Sequence, residues 1–277
     1  MDRMNMSVLN DERIGRLMFK LTIPAFMGMF VMTLYNVIDT IFIGPYVGTL
    51  GIAGLSIVFP IQMLAMGMGM LTGMGGASVI SRLIGAKNVT RAEKALGNAL
   101  SLNIILSTII MIVGLSASEF WLSLVGASET ITPYAMDYMT FILVGMVFQT
   151  FSMSNNNLIT SEGNARVAMI GMVIGAGSNI VLDALFIIPL DMGIKGAAIA
   201  TTLAHMISAV YFFSYWRGSK SYLTLHLSNF KLELGIIKDI MFIGISGLAR
   251  TLAGSLSAIF VNRALVEYGG DYAISTY

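Results

Sequence analysis

The stretch from Thr33 to Gly44, TLYNVIDTIFIG, carries a carboxylate inside an apolar run. Asp at the centre of a membrane helix costs about 2.5–3.5 kcal/mol, and such residues face a bundle interior or a wet cavity. Asn36 precedes Asp39 by three residues, so both project from one helix face. Asn179 and Asp183 repeat this at a spacing of four. Asp137 and Tyr138 lie in the outer part of another apolar run. Thr201 and Thr202 lie about two turns into a further one. Two carboxylates, an amide, a phenol and a hydroxyl support two chemistries. Hard oxygen ligands suit a bare cation such as Na⁺, here at Asp39, Asp183 and Asn179. Alternatively, one of two neighbouring buried carboxylates holds a proton near neutral pH. For Asn36, Tyr138 and Thr202, hydrogen bonding that merely joins membrane helices is an equal reading.

Other polar residues are supporting candidates. His205 is one turn past Thr201, while Gln149 and Arg250 are mid-helix. With Asn36 and Thr201 they form a candidate substrate cavity or support. Asn155, Asn156 and Asn157 read as a helix terminus or an inner gate. Glu162 and Arg166 read as a charged cytoplasmic turn, and Glu119, Trp121 and Glu129 as an outer interfacial loop. The sequence has no nucleophile–base pair, Walker loop or metal-ligand spacing to support an enzyme or an ATP-driven pump. No cofactor is expected beyond such an ion, H⁺ or Na⁺.

Positioning these groups needs helices that cross a membrane. Of the 277 residues, 56% are hydrophobic and only 11% charged, against about 25% charged in a soluble domain. A net charge of +1 gives no electrostatic case for nucleic acid, and zero cysteines exclude disulfides and thiolate metal sites. A span needs about 20 apolar residues. Windows at 17–43, 50–81, 95–117, 131–158, 166–188, 194–215 and 236–266 qualify. The opening segment, 1–16, is polar and lacks the apolar core of a signal peptide, so it reads as a cytoplasmic tail. Thirteen of the sixteen Lys and Arg residues fall in that tail or in alternate loops. The positive-inside rule therefore puts the N-terminus in the cytoplasm and the acids in the outer half of the bundle.

Gly67, Gly69, Gly73, Gly75 and Gly76 crowd the second span and read as close helix packing. The 22 methionines read as lipid-facing and core filler, or as a pliable cavity wall. Residues 218–235 are polar and read as a cytoplasmic linker between two lobes. The chain then begins again: Lys238 enters a span as Lys20 does, and the GG pair at 269–270 echoes GTLG at 48–51. The expected fold is an all-α polytopic membrane protein. It has one complete six-helix lobe (17–217) plus the first helix of a second, repeat-related lobe (236–277), with a further helix beginning after that GG pair.

LYNVIDTIFIG, SIVFPIQM with GGASVISRLIGAKN, LITSEGNARVAM, SNIVLDALFI and GIKGAAIATTLAH resemble, in order and spacing, the multidrug and toxic compound extrusion (MATE) family of prokaryotes. The resemblance implies an antiporter in the plasma membrane that exports small organic cations or drugs against inward H⁺ or Na⁺. It also implies a cation site at Asp39, Tyr138, Asn179, Asp183 and a threonine after GAAIA, of which Thr202 is preferred. Members often have proline after the last of these aspartates, where this chain has Ala184. The implied partners are the substrate, the lipid bilayer and the remaining C-terminal lobe of the same chain. The rival readings are a lipid or lipid-linked oligosaccharide flippase, a specific metabolite exporter, a half-transporter acting as a homodimer, and a non-transporting receptor or scaffold.

Overall fold

The computed structural model describes residues 14–218 and 221–276. Within helices, the side chains of 14, 16–17, 20–21, 32, 35–37, 39–44 and 269–276 lie outside the description. The first helical stretch, Ile14–Gly85, is broken at Gly48 (φ 76°, ψ 178°) into α1 (14–47) and α2 (49–85). That backbone geometry is open only to glycine at little cost. Next come α3 (Val89–Ser116), α4 (Ser118–Val125), α5 (Thr132–Ser161), α6 (Ala165–Ile187) and α7 (Gly193–Arg217). A 3₁₀ turn at Leu227–Phe230 precedes α8 (Leu234–Thr276). Among the described residues there is no strand. Six helices there are long and apolar enough to cross a membrane, and the described apolar part of α1 is Thr22–Val31. The protein is a multi-pass membrane protein.

Three expectations change. The loop expected at 118–130 contains α4, which buries Leu122 and Val125 and stops at Gly126, in the left-handed region (φ 101°). Eight residues are too few to register as a span, yet enough to cover the end of a bundle. Asn155, Asn156 and Asn157 do not end a helix, because α5 runs a further turn to Ser161. The backbone also stays helical through the glycine pair at 269–270, as far as Thr276. Glycine weakens a helix by about 1 kcal/mol but does not forbid it.

Helix α2 is the hub. Its glycines let neighbouring backbones approach: Gly69 and Gly73 meet the backbone of α5, and Gly76 meets Leu158 and Ala99. A Cβ at Gly75 would collide with the Ile240 carbonyl oxygen, and one at Gly244 with that of Leu71. The crossing of α2 and α8 is thus backbone against backbone. Pro60 adds a second tie. Proline has no N–H, so the carbonyl of Ser56 loses its intrahelical donor. Asn262 Nδ2 on α8 donates to that oxygen at 3.1 Å, and Ser255 Oγ donates to Pro60 O at 2.8 Å.

Two apolar clusters fill the lobe. One gathers Ile57, Leu122, Ile131, Met139 and Ile194. The other, at the opposite end, gathers Ile80, Leu96, Phe212 and Trp216 with Leu223 and Ile240. A buried polar knot holds α3 to α2 and α5. Asn103 Nδ2 donates to Thr72 Oγ1 (2.9 Å) and Thr150 O (3.3 Å), and Thr72 bonds Ser154 (3.2 Å). The 221–233 stretch is docked along the lobe. Asn98 donates to Asn229 O (3.3 Å) and Lys231 O (3.1 Å) and accepts from Glu233 N (2.7 Å). Ser101 donates to Phe230 O at 3.1 Å, and Lys94 pairs with Glu233 at 2.7 Å.

Asn262→Leu leaves the Ser56 carbonyl unanswered in an apolar setting and should destabilise the protein by about 1–2 kcal/mol. Thermal unfolding in detergent measures this. An unchanged midpoint would show that α8 is held without the proline tie.

Candidate functional site

Asn179 and Asp183 lie one turn apart on α6, both buried, Asp183 completely so. Opposite them, α7 presents Thr201, whose Oγ1 accepts from Asn179 Nδ2 at 3.2 Å. That bond orients the Asn179 amide and leaves its Oδ1 buried with no hydrogen-bond partner among the described residues. Tyr138, on α5, is buried and its hydroxyl accepts from Gln62 Nε2 of α2 at 3.3 Å. The bundle therefore brings the amide and a hydroxyl together beside a buried carboxylate, with the phenol on the neighbouring helix.

The two threonines have different partners: the Thr202 hydroxyl donates to Phe141 O on α5 at 3.0 Å, and Thr201 is the one that meets Asn179. Adjacent residues on a helix differ by about 100° in direction. The packing of α7 between α5 and α6 decides which one turns inward. Asn36 and Asp39 lie on α1, and their side chains fall outside the described residues.

A cavity of about 270 Å³ opens beside this group, between α1, α2, α5, α6 and α7. Asn179 and Thr201 form part of its wall. Gln149 and His205 also line it, so both sequence candidates face the same space. Met29, Met66, Met70, Met153 and Met172 make much of the remaining wall. Thioether side chains repack at low cost, so such a wall adapts to differently shaped apolar ligands. Asn156 and Asn157 line the cavity as well. Arg250 stands at the α2–α8 contact, where its guanidinium donates to the sulfur of Met70 at 3.6 Å. Among the described residues the ion pairs are Lys94–Glu233 and Lys195–Asp137, so Arg250 has no carboxylate there. Asp137 is thereby spoken for by Lys195 at 3.1 Å. Among the described residues no group of three His, Cys, Asp or Glu is placed to hold a metal ion.

Sequence reasoning missed two residues. Gln62 is a polar group two positions beyond Pro60 in an apolar run, and that isolation was the available signal. Glu162, read as part of a charged turn with Arg166, is 2% exposed, whereas Arg166 is exposed. It lies between the α5 and α6 spans, and burial raises its pKa to about 7 against the pull of several donors. Nothing local in LITSEGNARVAM announces this, because the residues that cover it come from α7 and the 218–235 segment.

The MatE family model matches residues 24–185. A multidrug export protein, MepA of Staphylococcus haemolyticus, is 26% identical over 96% of this chain and 59% of its own length. The MATE multidrug transporter DinF-BH, solved as a complex, is 41% identical with a TM-score of 0.91, covering 96% of this chain and 60% of that one. A transporter of the MOP superfamily from Pyrococcus furiosus, described as having a binding pocket of reverse polarity, is 32% identical. Its TM-score is 0.83, over 93% and 57% of the two chains. These relatives are transporters, not enzymes. The chain spans about three fifths of the length of the curated relatives it matches.

Thr201→Val should cost about 1–2 kcal/mol by stripping Asn179 of its partner. Thr202→Val should cost less, because Phe141 O lies inside α5 with a helical donor of its own. Parallel thermal melts compare the two. Equal losses would remove the distinction drawn between the threonines.

Proposed function

Because this chain belongs to the MatE family, we propose that it supplies the ion-coupling lobe of a secondary active multidrug exporter. In this reading, residues 17–217 form the N-terminal lobe and 218–235 the interlobe linker. Residues 236–277 begin a second lobe, completed by the rest of a longer chain. The positive-inside bias supports an N-terminus and a linker in the cytoplasm, and the family resemblance supports the plasma membrane. The transporter exchanges small organic cations for H⁺ or Na⁺ by alternating access.

One observation carries the reading most. A fully buried carboxylate, Asp183, stands one turn from an amide oxygen with no described donor, beside a cavity walled by methionines. An intramembrane acid of this kind is a functional site by default. The coupling ion neutralises the carboxylates Asp39 and Asp183, with Asn179, Tyr138 and a threonine contributing oxygens. Thr201 is the threonine that the Asn179 bond favours, over Thr202. Ion binding drives transport only if the two access states hold the ion with different affinity. Methionine thioethers, with Gln149 and His205, shape the pocket for apolar cations; Asn36 and Arg250 are placed as supporting residues.

A second reading, export of an anionic or lipid-linked substrate, draws on Arg250. A mid-span guanidinium without a described counterion suits a negatively charged group better than an organic cation.

Efflux of a fluorescent organic cation from vesicles containing the full-length transporter tests both. A pH gradient alone, then a Na⁺ gradient alone, should give efflux with one of them. Asp183→Asn and Asp39→Asn should each lower that efflux by about tenfold or more. Full efflux in both variants would end the coupling role of these acids. Selective export of an anionic probe, lost in Arg250→Gln, would favour the second reading.

A further inference from the structure

Glu162 closes a ring of hydrogen bonds at the linker end of the bundle, far in sequence from what covers it. Tyr215, on α7, donates its hydroxyl to Glu162 Oε2 at 2.7 Å and itself accepts from Asn164 Nδ2. The Leu223 amide donates to Glu162 Oε1 at 3.0 Å, and the Tyr222 amide adds a further donor. Ser221 Oγ lies 3.0 and 3.2 Å from the two carboxylate oxygens and 2.7 Å from Leu223 O.

Counting protons favours one state of the ring. Ser221 has one hydroxyl proton and three acceptors in reach. Its shortest contact is the carbonyl of Leu223, which carries no proton of its own. With that bond made, the serine oxygen and the carboxylate face each other as two acceptors. A proton on Glu162 resolves the conflict: the carboxyl donates to Ser221, and Ser221 donates to Leu223 O. Burial favours the same state. The titratable groups facing Glu162 are Tyr215 of α7 and Tyr222 of the linker segment. Arg166 of α6 is exposed, and among the described residues no cation is in ion-pair range. Ser219 and Lys220 lie outside the described residues.

We propose that Glu162 is a proton-binding site, separate from the intramembrane acids, that clamps the 218–235 segment to the end of the six-helix lobe when protonated and releases it when ionised. The proton comes from the compartment bathing that end and returns to it, so no other group changes charge. The site makes the attachment of this segment depend on local pH. It goes beyond the transport reading and does not depend on which ion drives export.

The sign follows from the raised pKa. A carboxyl whose folded pKa is about 7, against 4.5 unperturbed, adds stability that is complete below 4.5 and lost as pH rises through 7. Between about pH 6 and about pH 8, docking of the segment should weaken about tenfold. Amide hydrogen exchange of the full-length protein in lipid nanodiscs reads this directly, after correction for intrinsic rates. The Leu223 amide is bonded to Glu162, while the Glu233 amide of the same segment is bonded to Asn98, which does not titrate. The expected result is that protection at Leu223 falls relative to Glu233 across that range, and that Glu162→Gln abolishes the pH dependence. A wild-type ratio that stays constant with pH would overturn the proposal, whether or not the variant folds. Efflux is a separate readout, so failure here leaves the transport reading standing, and the reverse.

Discussion

One missing N–H organises much of this molecule. Pro60 sits in the helix on which the others converge, and it leaves the Ser56 carbonyl without an intrahelical donor. In a bilayer an unanswered carbonyl is expensive, because no water reaches it. The answer comes from Asn262, 206 residues later. The same pair of helices also meets backbone to backbone at Gly75 and Gly244. Apolar side chains alone supply little drive for association in lipid, so close backbone approach and satisfied polar groups do that work.

The same constraint shapes the interior. Asn103, Thr72 and Ser154 bond one another where three helices meet, with Asn103 Oδ1 left without a partner among the described residues. At the candidate ion site an open amide oxygen lies beside an acid. Thr201 accepts one hydrogen bond from the Asn179 amide, and the amide oxygen is left buried without a partner among the described residues. An acceptor is thus left open one turn from a buried acid. This is the arrangement a site needs if an external cation or proton is to complete it.

Much of this was legible in the chain. A spacing of four put Asn179 with Asp183 on one face of α6, because helical periodicity is local, whereas the side chains of Asn36 and Asp39 lie outside the described residues. The glycines of α2 announced close packing for the same reason. What was not legible depends on rotation and on distant segments. Thr201 and Thr202 differ only in which way α7 is turned, and that is set by its neighbours. Helix α4 fell below the length that marks a span. Glu162 looked solvated because charge in a turn normally is, and its burial is imposed by residues about 60 positions downstream. Sequence periodicity reports a helix face but does not report what later arrives to cover it.

The docked 221–233 stretch also bears on how the protein is made. Each of its anchors, Asn98, Ser101, Lys94 and Glu162, belongs to a part of the lobe synthesised earlier. Likewise α8 finds its partners on α2, which is already in place. Nothing that the described segment grips must wait for chain still to come. A ribosome feeding this chain into a membrane can therefore deliver α8 onto a surface of α2 that has already been made.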